Sequence, residues 1–162
     1  MIDVHCHVLP GVDDGSKNTE MSMDMIDIAY TQGIRGMVLT PHYYLGHTRE
    51  NGEAFKKIFA TFKEEVHAKY ADYELYLGNE IYWNKGVIEA LKDGRINTMN
   101  DTKYVLVEFA PAAEYSDIFD AIRSLTMAGY RPLVAHMERY HALTKQIDRV
   151  EEVCENGAIL QM

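Results

Sequence analysis

The sequence predicts an α/β domain built on a parallel sheet. Two observations carry this: six short runs are apolar along their whole length, and five helix-like segments separate them. Strands that are apolar throughout are buried on both faces, as happens when helices cover a parallel sheet. A barrel of the TIM type is the expected closure, with an open doubly wound sheet as the alternative.

Met1–Val8 reads as the first strand. Thr19–Gly33 reads as an amphipathic helix closed by Gly33, and Ile34–Thr40 as a buried strand. The unit then recurs. In Glu50–Tyr70, Ala54, Phe55, Ile58, Phe59, Phe62 and Val66 stand at spacings of three and four, a helical face, and Tyr73–Gly78 follows as a strand. A short helix over Lys85–Leu91, capped by Asn84 and ending near Gly94, leads to the strand Tyr104–Phe109. Ser116 is placed to cap the helix DIFDAIRSLTMA, Gly129 to stop it, and Arg131–His136 to form the fifth strand. A helix near Lys145–Glu155 ends before Gly157, and Ala158–Met162 begins a sixth strand.

At 162 residues the chain has the length of one domain, with 47% hydrophobic and 25% charged residues, a folded rather than disordered composition. A net charge of −9 argues against a nucleic-acid partner, which needs a basic footprint. No run long and apolar enough to insert in a membrane and no signal-peptide plan is present, so a cytoplasmic location is expected. Two cysteines, Cys6 and Cys154, suit a reducing compartment.

In parallel barrels chemistry gathers at the C-terminal ends of the strands. The first strand delivers His5 and His7, the second runs into TPHYY with His42, and the third into GNE with Glu80. The fourth ends with Glu108 and the fifth with His136. Strand side chains alternate faces, so His5 and His7 share one face as a chelating pair while Cys6 points to the other. A glutamate ending an apolar strand, as Glu108 does, is costly unless paired or bound to metal. Imidazoles and carboxylates together suit Mn, Zn or Fe, and six donors exceed the need of one tetrahedral site, so a cluster of two or three ions is expected. His47, His67 and His141 fall in loops or a helical pattern and are read as structural.

Cysteine catalysis fits poorly. A thiol phosphatase needs an arginine six residues after its cysteine, and Val12 and Leu160 stand there instead. Cys6 is read as a buried hydrophobe. No GxSxG elbow and no nucleotide-binding GxxxxGK[ST] loop occurs.

DVHCHVLPGVDDG, TPHYY, GNEIY, NDTKYVLVEF and AHMERY, in that order and spacing, resemble the polymerase and histidinol phosphatase (PHP) family over the whole chain. More closely they resemble its branch of manganese-dependent bacterial protein-tyrosine phosphatases encoded with capsule and exopolysaccharide genes. The resemblance implies a distorted TIM-like (β/α)7 barrel of the PHP type, here with about six parallel strands. It also implies two or three Mn ions, with Fe, Zn or Mg as alternatives. His5 and His7 would bind a first ion, bridged by Glu80 to a second held also by Glu108 and His136. His42 would serve a third with Asp14, or with Asp13. Arg139 would be the catalytic, substrate-binding arginine that grips the phosphoryl oxygens. A metal-bound hydroxide would attack phosphorus without a covalent enzyme intermediate. The implied partner is the phosphotyrosine tail of a cognate bacterial tyrosine kinase that regulates polysaccharide export, and oligomerisation is compatible with all of this.

The branch usually continues to a seventh strand ending in DxH, a motif that this sequence lacks. The expectation is therefore a C-terminally truncated domain with weakened first and third sites. Two further readings follow: a PHP phosphoesterase for a small ester such as histidinol phosphate, or a truncated, inactive metal-binding domain. Tyr43, Tyr44, Tyr82 and Tyr140 are candidates to stack on an aromatic ester near the mouth.

Overall fold

The computed structural model describes residues 1–47 and 52–162. β1 (Ile2–Cys6) leads to α1 (Thr19–Thr31), which Asn18 caps by accepting the Met21 N–H at 2.9 Å. β2 (Gly36–Leu39) and β3 (His42–Tyr43) precede α2 (Gly52–Lys69), whose expected start at Glu50 lies outside the described residues. β4 (Glu74–Leu77), β5 (Glu80–Tyr82), α3 (Val87–Lys92) and β6 (Tyr104–Glu108) follow. α4 (Tyr115–Met127), β7 (Arg131–Val134), α5 (Ile147–Glu155) and β8 (Ile159–Leu160) complete the described elements.

Every ladder is parallel, in the orders β1-β2-β4 and β3-β5-β6-β7-β8. Two short strands lie beyond the second and third expected ones: after one break each, β3 follows β2 and β5 follows β4. Pro41 has no N–H to give the ladder, and the Asn79 side chain donates to its carbonyl at 3.0 Å. Register survives the break: Leu39 faces Leu77 before it and His42 faces Glu80 after it. The two ladders thus continue one another, and the sheet curls enough that His5 at the end of β1 lies 3.1 Å from Gln161 just past β8.

The pleat sorts side chains into two apolar layers. Leu39, Leu75, Leu77, Val105, Val107 and Val134 face the helices and pack in one cluster with Phe55, Phe62, Ile118, Ile122 and Leu125. Each such side chain contributes about 1.5–3 kcal/mol on full burial. Val38, Leu106 and Ala135 point the other way and form, with Met99, a smaller inner cluster. The inner face is the one that carries Glu108, two residues after Leu106.

Three local expectations are corrected. Ser116 does not cap α4: the helix begins at Tyr115, because the Asp117 and Ile118 N–H groups already donate to the Glu114 carbonyl. α3 starts two residues later than expected, after Asn84 has closed a turn by accepting the Gly86 N–H. The fifth strand ends at Val134 rather than His136, because His136 takes the left-handed conformation (φ 34°, ψ 54°) and opens a 3-10 turn, Met137–Arg139.

Candidate metal centre

Five stretches of chain converge on one carboxylate. Glu80 is 1% exposed, yet its Oε1 lies 3.1 Å from His5 Nε2 and 2.8 Å from His136 Nε2, and its Oε2 lies 3.1 Å from His7 Nε2 and 3.0 Å from His42 Nδ1. Glu108 completes the group, with Oε1 3.3 Å from His42 Nδ1 and Oε2 3.4 Å from His136 Nε2. A bulge in β1 sets up the first two ligand candidates. From Asp3 to Cys6 the strand takes three steps where β2 takes two, Met37 to Leu39, and the Asp3 carboxylate accepts the His5 N–H at 3.1 Å.

The two neighbouring aspartates have different surroundings. Asp13 Oδ2 is 2.8 Å from His7 Nδ1 and accepts the His42 N–H at 3.1 Å, while its Oδ1 accepts the Gly15 N–H at 2.9 Å. Both its oxygens are occupied in orienting other groups. Asp14 is 82% exposed at its side chain and sits 3.5 Å from His42 Nε2. The loop carrying both lies directly on β1, since a Cβ at Gly15 would meet the His7 carbonyl oxygen at 2.2 Å. Only glycine permits that approach.

The electrostatics follow from this crowding. Burial raises the Glu80 pKa, but the close imidazoles of His42, His5 and His7 outweigh it and hold the carboxyl far below the usual range. Burial lowers the His42 pKa, yet Glu108 and Glu80 carry it up to about 10. His7 moves to about 9, with Asp13 and Glu80 overcoming burial in the same way.

The donor set fits divalent cations. Among the described residues three trios have ligand atoms within 4.8 Å of one another: His5, His7 and Glu80; His7, Asp14 and His42; His42, Glu80 and Glu108. His42 Nδ1, Glu80 Oε2 and Glu108 Oε1 are buried without a hydrogen-bond partner among the described residues, despite separations of 3.0 and 3.3 Å. Polar atoms that lie close without pairing are aimed at a common point, as donors to a cation are.

Arg139 lines the same cavity, of about 460 Å³, with His5, His7, Asp14, Gly15, His42, Glu80 and His136. Its side chain is exposed, and the arginine and lysine ion pairs of the described residues are Arg35–Asp72, Lys56–Asp101, Lys69–Asp27 and Arg95–Asp93, leaving Arg139 outside them. Of the four tyrosines, Tyr44 and Tyr82 stack at 5.2 Å between ring centroids beside His42. Tyr43 and Tyr140 are buried instead, the Tyr140 hydroxyl accepting the Phe109 N–H at 3.1 Å and lying 3.2 Å from His136 Nδ1. His47, His67 and His141 are not among the residues that line the cavity.

Cys6 faces the helix layer. Its Sγ donates to the Val38 carbonyl at 3.3 Å, and burial pushes the thiol far above its ordinary range. Cys6→Ala is expected to leave the activity of this site within about twofold, and iodoacetamide to leave the native chain active. Thiol-dependent loss of activity in either assay would overturn this placement.

A parallel sheet that gathers histidines and glutamates at the C-terminal side of its strands suits metal ions, and its likeness to solved metal-dependent tyrosine phosphatases places it among metal-dependent hydrolase domains of the PHP type. Residues 1–162 match the family described as capsular polysaccharide synthesis, CpsB/CapC, and the chain belongs to that family. It is 36% identical over 162 residues to the tyrosine-protein phosphatase CpsB of Streptococcus agalactiae, covering all of this chain and 67% of that protein. It is 30% identical over 164 residues to the tyrosine-protein phosphatase YwqE of Bacillus subtilis, covering 64% of it. Among the crystal structures of YwqE from Bacillus subtilis and CpsB from Streptococcus pneumoniae, metal-dependent tyrosine phosphatases, one superposes with a TM-score of 0.90 at 30% identity, covering all of this chain and 66% of that one. The chain therefore spans about two thirds of the length of these relatives.

Two roles in the site escaped the sequence reading. Asp13 orients His7 and His42 where the spacing allowed it only as an alternative ligand. Gln161 touches both His5 and the His136 backbone. Its signal was the same as that of Glu108: a polar side chain ending an apolar strand.

Proposed function

We propose that this chain is the catalytic domain of a metal-dependent phosphotyrosine-protein phosphatase acting on a bacterial tyrosine kinase of capsular or exopolysaccharide synthesis, with manganese as the resident ion. The observation that carries the reading is the convergence of four imidazoles and two carboxylates below a guanidinium that has no ion pair among the described residues. His5, His7 and Glu80 would hold one ion, Glu80, Glu108 and His136 a second, and His42 with Asp14 a third. His7 also lies within reach of the third position, and His42 of the second. Such ions lower the pKa of water and neutralise phosphoryl charge.

The chain's own residues do the rest. Arg139 donates two parallel N–H groups to phosphoryl oxygens, a geometry that lysine cannot match. Asp13 holds His7 by its Nδ1, leaving Nε2 turned toward Glu80. The Tyr44–Tyr82 pair offers an aromatic wall beside His42 against which a phenyl ring packs. A phenolate leaving group, with a conjugate acid of pKa about 10, departs more readily than an alkoxide, which favours an aryl over an alkyl ester.

With Mn²⁺ the purified chain is expected to hydrolyse p-nitrophenyl phosphate and phosphotyrosyl peptide, and to fall to background in EDTA. Preference for histidinol phosphate would move the assignment to the small-ester reading. Bound Mn²⁺ with no hydrolysis of any ester would leave a metal-binding domain.

A further inference from the structure

Gln161 follows β8 and joins the two ends of the strand order at the candidate centre. Its backbone N–H donates to the Val134 carbonyl at 2.9 Å, and its own carbonyl accepts the Met137 N–H at 2.8 Å. Its side-chain Oε1 accepts the His136 N–H at 3.0 Å and lies 3.1 Å from His5 Nδ1.

The chemistry of these contacts leaves little freedom. A backbone N–H can only donate, so the amide atom facing His136 must be the oxygen, which settles the orientation of the amide. An oxygen cannot donate either, so His5 Nδ1 must carry the proton of the second bond. That leaves the lone pair of neutral His5 on Nε2, the atom 3.1 Å from Glu80 Oε1. The remaining contacts act on His136. Its left-handed backbone is costly for any residue but glycine and persists only where neighbours hold it. Gln161 supplies two such bonds, one to the His136 N–H and one to the Met137 N–H.

We propose that Gln161 is a positioning residue for the metal centre, presenting His5 through Nε2 and pinning the turn that aims His136 at Glu80 and Glu108. The role rests on the metal-centre reading above. It differs from a packing role because it depends on one acceptor atom rather than on the volume of the side chain.

The test compares Gln161→Met, which keeps the length and loses the acceptor, with Gln161→Glu, which keeps an acceptor oxygen. In the metal-free wild type, ¹⁵N-edited NMR is expected to show a His5 Nδ1–H protected from exchange. Gln161→Met should lose that resonance and bind Mn²⁺ 10- to 100-fold more weakly by titration calorimetry, the usual range for losing an outer partner of a ligand. Gln161→Glu should keep the resonance and stay within about threefold of wild type. Gln161→Asn, which withdraws the amide by one methylene, should shift in the same sense as Gln161→Met and serves if the latter does not fold. A protected His5 Nδ1–H and unchanged Mn²⁺ affinity in Gln161→Met or Gln161→Asn would overturn the proposal while the metal centre stands. Absence of Mn²⁺ binding by the wild type would instead overturn the metal-centre reading, and this role with it.

Discussion

Replacing Glu80 with glutamine is expected to abolish stoichiometric Mn²⁺ binding and aryl phosphatase activity, and to destabilise the metal-free chain by about 3 to 5 kcal/mol. One buried carboxylate faces four imidazoles at 2.8 to 3.1 Å, so its loss removes the shared counter-charge of the whole cluster. His7 and His42 stand only 4.4 Å apart between ring centroids. Without Glu80 their protonated forms repel each other with one fewer anion between them. The amide is nearly the same size, so no cavity confuses the result, which reads the lost charge together with the exchange of one acceptor oxygen for an N–H donor. Metal content by mass spectrometry and urea denaturation in chelator check both halves. A variant that keeps its metal and its turnover would sink the assignment of Glu80 as the bridging group.

Arg139→Ala is expected to lower kcat/KM for phosphotyrosyl peptide by about 10² to 10³, the range found for removing one donor to a developing oxyanion. Arg139→Lys should recover only part, because an ammonium offers a point charge in place of a planar fork. Stability should change by no more than about 0.5 kcal/mol, as the side chain is exposed and outside the ion pairs of the described residues. Metal content should not change, since Arg139 is no donor to a cation. Equal kcat/KM in wild type and Arg139→Ala would remove Arg139 from the phosphate site and leave it a cavity-lining surface residue.

These two variants probe different links of one argument. Glu80 tests whether the strand ends form a cation site, and Arg139 tests whether that site meets a phosphate. Loss of metal in the first with retained metal in the second separates binding of the ions from recognition of the substrate. The aromatic pair Tyr44 and Tyr82 bears on a third matter, the choice among phosphate esters, which neither variant addresses.

Much of the fold was legible because burial writes a period into the chain. Apolar runs such as YVLV before Glu108 became central parallel strands, and the three-and-four spacing from Ala54 to Val66 put Phe55, Phe62 and Val66 on the buried face of α2. Boundaries were less legible where a local backbone effect competes with the period. Pro41, which lacks an N–H, separates β2 from a further short strand, β3, that the period did not show, and the left-handed His136 ended another strand two residues early. Ser116 looked like a cap, but the Glu114 carbonyl opens the helix before it. A capping side chain is a local preference that one earlier turn overrides.

By itself the sequence determined the parallel α/β class, the placing of His5, His7, His42, Glu80, Glu108 and His136 at or shortly after the ends of β1, β2, β4, β6 and β7, and the outward face of Cys6. Side-chain period and apolar content act over a few residues, so a linear reading captures them. Only the tertiary structure decided that Glu80 is the common neighbour of four histidines, that Asp13 orients while Asp14 stays exposed, and that Gln161 reaches back to His5. Those contacts span up to 156 residues of chain, and they exist because the sheet curls β8 toward β1. Curvature is a sum of small twists over every strand, and no single segment records it.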